Sequence, residues 1–474
     1  MLIKILKKAF WFGIVPKLSS IVSIFVLPLV TPFLTPEDYG VYGIITAYLS
    51  FFTSICTLGL HIHLPNSFFV LKNNYKLLWR RIFGTLLIIS VSLSFILFFI
   101  YVFLLDSVAF PQRIWVSLLA VIPLLFNANS LISSNYYVLI ENPRPLVLRN
   151  LFGSLISIFT FFTCARFLNL GYLSWLIASS LSTFSIFIFF IRPIWIDEKI
   201  FPQIEKSSKR FIRLLKIALP VIPHNLGHIL LSSADRVIMT ILGLSLFEIG
   251  LYTNGHQLGD YVSFVIIGLF TAISPIVQKA YREMDNVKLQ YFYYTTQLLT
   301  ISFVFIISIW MKEIYHFLIR NEELQSSYLV ASTICFSFSM YCNYFYMSTI
   351  VFINEKTKKL LYLVFIPGLL NIIFAFILIP HMGYMGAGYS MLFSNWSISL
   401  IPFIIPYYKK ELLSIIGSLS TVAYIFLVNI ILFVCSIILK DEQIELKFIV
   451  TLFVIIIAFL CYRNIIVKRK LSII

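Results

Sequence analysis

The stretch ILLSSADRVIMTIL, residues 229–242, is an apolar run that contains an acid and a base next to each other. Its flanks are typical of a helix buried in lipid, yet Asp235 and Arg236 are among the side chains that lipid tolerates least. At the centre of a bilayer each of them costs on the order of 3 kcal/mol on insertion scales. We therefore expect both side chains to face the inside of a helix bundle or a water-filled cavity.

The composition of the whole chain is that of a membrane protein. Of its 474 residues, 60% are hydrophobic and only 12% are charged, whereas about 25% of the residues of a soluble domain are charged. The 47 Phe are more than one soluble core could hide. The sequence therefore predicts an all-α polytopic membrane protein.

The charges and cysteines argue against several other classes of protein. The net charge is +16, but the bases lie in short clusters between apolar runs and form no basic, aromatic-interleaved face, so no nucleic acid is expected as a partner. The six Cys lie in or beside apolar segments without CxxC spacing, and we interpret them as small core residues rather than metal ligands or disulfides. No cofactor or metal is expected. The apolar run 9–34 is too long for a signal peptide and should remain in the protein.

A helix needs about 20 apolar residues to cross the hydrocarbon of a bilayer. About 14 transmembrane helices are predicted, and they are 10–34, 40–60, 82–105, 114–138, 146–168, 171–193, 213–242, 249–277, 290–311, 326–350, 360–379, 386–408, 417–439 and 446–465. The connectors between them are short, so no soluble domain is expected.

The positions of the Lys and Arg residues predict the orientation of the chain. With the N-terminus in the cytoplasm, 28 of the 36 bases fall on the cytoplasmic side and six on the opposite side. The remaining two, Lys17 and Arg236, lie inside predicted spans. Both termini and the connector 194–212 are therefore expected in the cytoplasm.

The sequence also repeats itself at an offset of about 210 residues. Three pairs of short segments match between the two halves: EDYGVYG (37–43) with FEIGLYT (247–253), VLIENPR (138–144) with VFINEKTK (351–358), and LGYLSW (170–175) with MGYMGA (382–387). The pairs predict two parallel six-helix repeats that form two lobes, and transporters built in this way place substrate between the halves and rock them. The predicted parts are an N-terminal lobe, a cytoplasmic connector, a C-terminal lobe, and two additional helices with a basic cytoplasmic tail: 1–193, 194–212, 213–408 and 409–474.

Two long segments resemble a known family. PLVTPFLTPEDYGVYGIITAYLSFFTSICTLGL (28–60) resembles the opening of the Wzx-type flippases of bacterial polysaccharide synthesis, which belong to the multidrug/oligosaccharidyl-lipid/polysaccharide exporter superfamily. ALPVIPHNLGHILLSSADRVIMTILGLSLFEIGLY (218–252) resembles the start of their second half. Relatives often carry an Arg just after the second span, where this chain has HIHLPN (61–66), so no headgroup contact is assigned to that position.

The resemblance implies a function in the bacterial inner membrane. Such a flippase passes undecaprenyl-diphosphate-linked oligosaccharide from the cytoplasmic to the periplasmic leaflet by alternating access, for O-antigen, lipopolysaccharide or capsule synthesis. It is not an enzyme, because no bond changes. The expected partners are this lipid-linked oligosaccharide and membrane lipid, together with a polymerase and a chain-length regulator of the same pathway.

Transport of a diphosphate and a sugar chain through hydrocarbon requires a cation and polar groups in a water-accessible cavity. On a continuous helix the polar residues of span seven would share one side, and Tyr252, His256 and Asp260 form a stripe at i, i+4 and i+8 in span eight. The candidate substrate-binding residues are Arg236, Lys17, Asp235, Asp260, His256 and Tyr252. The candidates for proton coupling, because they titrate near neutrality, are His224, His228 and His256.

Each candidate also has a purely structural interpretation. Arg236 either meets the cargo or forms a structural ion pair with Asp235 or Asp260. Lys17 is either a cavity cation or a side chain that snorkels to the cytoplasmic surface. The stretch SMYCNYFYMS (339–348) suits sugar contact, although packing is the more common role of such residues.

Three other functions remain open at this point. A drug/cation antiporter of the same superfamily would favour an acid-rich site in the membrane, whereas this chain has deep bases. A peptidoglycan-precursor flippase would carry the same lipid diphosphate, and the sequence discriminates poorly against it. A membrane polymerase or ligase of the same pathway would need a large periplasmic loop, and the longest periplasmic connector, near 312–325, is too short.

Overall fold

The computed structural model describes residues 18–71, 74–105, 110–140, 142–205, 208–219, 222–354, 356 and 359–470. Within these ranges all regular elements are helices, which confirms the predicted all-α class. The chain divides into two compact units, Met1–Ile229 and Leu230–Ile474. The predicted boundary at 194–212 and the separate C-terminal pair 409–474 stay predictions.

The first unit contains ten helices within the described ranges, the last of which crosses its boundary. They are α1 Leu18–Val30, α2 Pro36–Cys56, α3 His63–Val70, α4 Tyr75–Leu104, α5 Phe110–Leu125, α6 Asn127–Leu139, α7 Pro143–Arg166, α8 Leu173–Phe190, α9 Ser208–Ala218 and α10 Ile222–Ser232. A π-helical turn, Ile191–Asp197, extends α8.

The second unit contains twelve helices within the described ranges. They are α11 Ala234–Ile241, α12 Leu246–Arg282, α13 Asn286–Ile309, α14 Met311–Leu318, α15 Glu322–Gln325, α16 Tyr328–Ser337, α17 Tyr341–Ile353, α18 Leu360–Met382, α19 Tyr384–Ile404, α20 Pro406–Ile416, α21 Leu419–Leu439 and α22 Ile444–Lys470.

The helices fall where the apolar segments predicted spans, which confirms a multi-pass membrane protein. Ten helices among the described residues are long and apolar enough to cross a bilayer, and the number rises to 12 if each of two bent helix pairs is one span. One bent pair is α19 and α20, which meet at 97°. The predicted span 326–350 is interrupted by the 3-10 turn Phe338–Met340. Residues 10–17 of the predicted span 10–34 lie outside the described residues.

The two units begin their second spans with the same capping structure. In the first unit, the carboxylate of Asp38 accepts the N–H of Thr35 at 2.9 Å, and the Thr35 hydroxyl accepts the N–H of Asp38 at 3.3 Å. In the second unit, Ser245 and Glu248 exchange the equivalent bonds at 3.1 and 3.3 Å. Each reciprocal pair satisfies N–H groups that a helix start leaves open.

The same carboxylates lie beside a second matched element. Asp38 also accepts the N–H of Tyr172 at 2.8 Å, next to Gly171, whose φ is +53°. A Cβ on Gly383, whose φ is +57°, would lie 3.3 Å from the carboxylate of Glu248. A positive φ favours glycine, so each unit uses a Gly where its last span of the repeat begins. The matched segments of the sequence therefore adopt matched local structures.

Ion pairs join helix ends within each unit. Lys76 lies 2.8 Å from Glu198 in the first unit. In the second unit Lys312 lies 3.3 Å from Asp441, and the fully buried Lys447 lies 2.5 Å from Glu313. Each of these pairs joins residues that the distribution of bases assigns to the same side of the membrane.

The break in span ten has side-chain support from neighbouring helices. The backbone carbonyl of Ser339 accepts the Gln297 amide at 3.0 Å, and that of Met340 accepts the Ser399 hydroxyl. Asn343 accepts the hydroxyl of Tyr293, and both side chains are buried. The stretch 339–348 thus contributes to internal packing, which was the favoured interpretation.

Candidate functional site

The polar segment of span seven lies at a helix break. α10 ends at Ser232 and α11 begins at Ala234, with Ser233 between them at φ −137° and ψ −15°. Pairs of small hydroxyl residues are common at such breaks, because serine side chains compete for backbone hydrogen bonds. The expectation of one continuous helix, with all its polar groups on one side, is therefore wrong.

Asp235 is fully buried in the second unit and is surrounded by neutral donors. Its Oδ2 accepts the hydroxyl of Tyr252 at 2.8 Å. Its Oδ1 accepts the amide of Asn371 at 2.9 Å and the hydroxyl of Ser390 at 3.4 Å. The carboxylate also lies in the first turn of α11, where the helix dipole stabilises negative charge. These contacts offset the cost of burying a charge.

Asn371 connects this carboxylate to the helix break. Its amide group also donates to the backbone carbonyl of Leu230 at 2.9 Å. In a continuous helix that carbonyl would accept the N–H of residue 234, so Asn371 supplies a donor where the break removes one. The amide oxygen of Asn371 accepts the hydroxyl of Ser394 at 3.2 Å. Asp235, Tyr252, Asn371, Ser390 and Ser394 form what we term the Asp235 network.

Arg236 lies beside this network. It is 8% exposed, its Nη1 donates to the backbone carbonyl of Ser232 at 3.3 Å, and its Cζ lies 5.7 Å from the centre of the Tyr252 ring. The guanidinium forms no ion pair with any described residue, and its buried Nε has no hydrogen-bond partner. The structural alternative, an ion pair of Arg236 with Asp235 or Asp260, is therefore not formed among the described residues.

The predicted stripe on span eight lies on one continuous helix, α12. Tyr252 and His256 are both buried, and their rings lie 5.7 Å apart. The buried Nε2 of His256 and Oδ1 of Asn254 have no hydrogen-bond partner among the described residues. Asp260 lies one turn beyond His256 and is half-buried.

The other candidates are not part of this cluster. His224 and His228 lie in the first unit, where their rings contact each other edge to face at 5.2 Å. Lys17 lies outside the described residues. Groups of three or more His, Cys, Asp or Glu that could hold a metal are absent from the described part of the chain.

Sequence reasoning did not identify Asn371, Ser390 and Ser394 as partners of Asp235. A signal for Asn371 was present, since it is the sole amide in the apolar run LLYLVFIPGLLNIIFAFILI (360–379) and a polar group in lipid needs a partner. The serines carried no comparable signal, because serine is common at ordinary helix contacts in membranes.

The arrangement combines two chemical capacities. The carboxylate of Asp235 is held by neutral donors only, so it can take up a proton without losing an ion pair. The guanidinium of Arg236 has an N–H that no described residue accepts, and it lies beside the Tyr252 ring in a buried setting. A phosphate oxygen is a suitable acceptor for such a donor.

The family of the chain follows from its sequence. The family described as polysaccharide biosynthesis protein matches residues 5–281, which is more than half of the chain and includes the start of the Asp235 network. The chain belongs to this family. The resemblance read from residues 28–60 and 218–252 is therefore confirmed. None of the functionally curated proteins matches the sequence.

Solved structures show that this family member has the fold of the flippases and transporters of the MOP superfamily. The lipid II flippase MurJ, in an inward closed conformation, is similar with a TM-score of 0.69 at 18% identity, over 97% of this chain and 99% of that chain. An inward-facing multidrug resistance MATE family transporter of the MOP superfamily is similar with a TM-score of 0.65 at 13% identity, over 85% of this chain and 96% of that chain. An outward-facing multidrug resistance MATE family transporter of the MOP superfamily is similar with a TM-score of 0.57 at 14% identity, over 86% of this chain and 96% of that chain.

Proposed function

We propose that this protein translocates undecaprenyl-diphosphate-linked oligosaccharide repeat units from the cytoplasmic to the periplasmic leaflet of the bacterial inner membrane. The translocation serves O-antigen or capsule synthesis, proceeds by alternating access and changes no bond, so the protein is not an enzyme. A polymerase and a chain-length regulator would then act on the product at the periplasmic face. Membership of the polysaccharide biosynthesis family supports the class of cargo.

The observation that carries the proposal is the state of Arg236. A buried guanidinium in an apolar segment costs several kcal/mol unless a partner compensates it, and no described carboxylate pairs with it. A diphosphate is an anion that binds a guanidinium through two parallel hydrogen bonds. The cargo itself therefore supplies the missing partner in this proposal.

The neighbours of Arg236 have supporting roles. Tyr252 presents its ring to the guanidinium and its hydroxyl to Asp235, so it fixes the position of both charged groups. His256, Asp235 and Asp260 supply the titratable groups through which proton binding is coupled to transport. Lys17 provides a second cation for the diphosphate in span one. His224 and His228 form a separate candidate pair for proton coupling in the first unit.

The proposed orientation places both termini and the connector 194–212 in the cytoplasm. It is supported by the count of 28 bases on that side. Contacts agree with the grouping of segments on one side, because Tyr281, Asn354 and Glu411, all assigned to the same side, share hydrogen bonds of 2.9 and 3.0 Å.

The other functions fit these observations less well. An antiporter for organic cations needs an acidic side chain that the cargo can reach, whereas Asp235 already accepts three hydrogen bonds. The group without a hydrogen-bond partner among the described residues is the Nε of Arg236, which is itself a cation. A peptidoglycan-precursor flippase carries the same lipid diphosphate. It is distinguished by the effect of deletion, which would stop cell-wall growth rather than surface-polysaccharide export.

Deletion of the gene in a cell that makes a surface polysaccharide tests the proposal. We expect lipid-linked single repeat units to accumulate on the cytoplasmic face while surface polymer disappears. A plasmid copy of the wild-type gene should restore the polymer. If polymer is lost while single units are still displayed on the periplasmic face, the protein is a polymerase or ligase and the proposal is wrong.

A further inference from the structure

A cavity of about 270 Å³ lies within the first unit, between α2, α5, α7 and α8. Hydroxyl groups dominate its polar surface, and none of the lining side chains is charged. The hydroxyl-bearing residues that line it are Tyr42, Thr46, Ser157, Ser179, Ser182 and Thr183. A hydroxyl that donates its proton still has lone pairs that accept, and hydrocarbon offers no donor to them, so such a concentration of hydroxyls suits a polar occupant.

The sequence shapes this cavity through a proline and a glycine. Pro123 lines it from α5 and has no N–H, so the backbone carbonyl of Leu119 lacks its usual helical donor. The hydroxyl of Ser180 donates to that carbonyl at 2.9 Å. On the other side, the hydroxyl of Ser182 donates to the carbonyl of Gly153 at 2.8 Å. These two bonds connect α8 to α5 and α7 on either side of the cavity.

Most of the remaining hydroxyls donate to their own helices. Thr46 donates to the carbonyl of Tyr42 at 2.9 Å, Ser179 to that of Leu176 at 3.1 Å, and Thr183 to that of Ser179 at 2.8 Å. A hydroxyl has one proton and two lone pairs, so each of these groups remains an acceptor. The wall therefore offers several hydrogen-bond acceptors without a charge.

One aromatic wall of the cavity is held rigidly. The ring of Tyr42 stacks on Trp175 with ring centres 4.7 Å apart and planes at 16°, and Trp175 stacks in turn on Phe161 at 5.0 Å. The cavity volume is slightly below the range of about 300–1,000 Å³ for drug-sized ligands. A single sugar ring has many O–H donors and no charge, so its chemistry matches this wall.

We infer that this cavity is a subsite for an uncharged sugar residue of the transported oligosaccharide, separate from the site that meets the diphosphate. The inference rests on the proposed function. It follows from the chemistry of the wall, since a phosphate or an ammonium group would find no counter-charge there. A sugar would donate its hydroxyl protons to Thr46, Ser179 and Thr183.

The test replaces two hydroxyls by methyl groups of the same shape. Thr46→Val and Thr183→Val, combined, remove two acceptors from the wall but no bond between helices, because both hydroxyls donate within their own helix. Thr53→Val is the matched control, since Thr53 is on the same helix as Thr46, donates to Leu49 at 2.7 Å and does not line the cavity. Ser157→Leu is a second variant that fills the cavity instead.

Two ligands are titrated into the full-length protein in lipid nanodiscs. One is undecaprenyl diphosphate that carries the repeat unit, extracted from cells that lack this protein, and the other is undecaprenyl diphosphate without sugar. We expect the double variant to bind the sugar-bearing lipid about ten-fold more weakly, because it loses two neutral hydrogen bonds. Ser157→Leu should weaken binding of the same lipid, because its side chain occupies the space of the sugar. Binding of the sugar-free lipid, and both affinities of Thr53→Val, should stay at wild-type values.

Two results would overturn the inference. One is wild-type affinity of the double variant and of Ser157→Leu for the sugar-bearing lipid. The other is an equal loss of affinity for both lipids, because the effect would then not depend on the sugar. If the wild-type protein binds neither lipid, the proposed function itself fails, and this outcome is distinct from both.

Discussion

Tyr252→Phe removes one hydroxyl from the Asp235 network and changes nothing else in shape. That hydroxyl donates to Asp235 at 2.8 Å, and both side chains are fully buried. A hydrogen bond to a charged group contributes about 1.5–3 kcal/mol to stability. The matched control is Tyr293→Phe, which removes an equally buried hydroxyl whose acceptor is the neutral amide of Asn343, a bond that contributes about 1 kcal/mol.

Thermal unfolding of purified protein in nanodiscs measures both losses. In a unit of 150–250 residues, 1 kcal/mol lowers the melting temperature by about 2–4 °C. We therefore expect Tyr252→Phe to lower it by roughly 5 °C or more, and Tyr293→Phe by about 3 °C. In an Asp235→Asn background the acceptor is neutral, so the further cost of Tyr252→Phe should fall to that of the control. Equal losses in the two single variants, with no coupling to Asp235→Asn, would refute a charged carboxylate in this network.

Three other predictions concern the cation, the topology and a surface ion pair. Arg236→Leu should leave abundance normal and abolish export. Arg236→Lys should retain export in part, because lysine keeps the positive charge but lacks the planar guanidinium that binds a phosphate through two hydrogen bonds. Full export from a well-expressed Arg236→Leu protein would show that the cation is dispensable. Cysteine labelling should reach three sites only from the periplasm, namely Glu37, Glu248 and His381, and cytoplasmic labelling of two of them would contradict the topology. Burial opposes ionisation of Glu198, but hydrogen bonds from Lys76 and Tyr136 outweigh it and hold its pKa below the ordinary value. The stability that this pair contributes is thus present above the pKa of the unfolded chain and is lost as the pH falls through the folded pKa; melting curves should show a smaller loss between pH 7 and pH 3 for Glu198→Gln than for wild type.

Much of the fold was predictable because membranes impose simple rules on sequence. A span needs a run of apolar residues of sufficient length, and bases collect on one side. The matched segments 37–43 and 247–253 were recognisable because a capping box requires specific residues at fixed spacing, as at Thr35–Asp38 and Ser245–Glu248.

The helix breaks and the partners of Asp235 were not predictable in the same way. The break at Ser233 is supported by Asn371, which lies 141 residues from the Leu230 carbonyl that it contacts. The two donors to Oδ1 of Asp235 lie 136 and 155 residues from it along the chain. Helix periodicity describes neighbours on one helix and carries no information on such contacts. The role of Arg236 stays a prediction, and its contact with the Ser232 carbonyl lies at the break that helix periodicity does not show.

The most direct test of the central proposal is translocation by the purified protein in vesicles. Undecaprenyl diphosphate with a labelled repeat unit is reconstituted into both leaflets, and a membrane-impermeant diol oxidant then attacks only the sugars exposed outside. In protein-free vesicles the inner-leaflet share of the label should stay protected. With wild-type protein nearly all of the label should become accessible, and with Arg236→Leu protection should persist. If the inner-leaflet label stays protected in the presence of folded wild-type protein, the protein is not a flippase for this lipid.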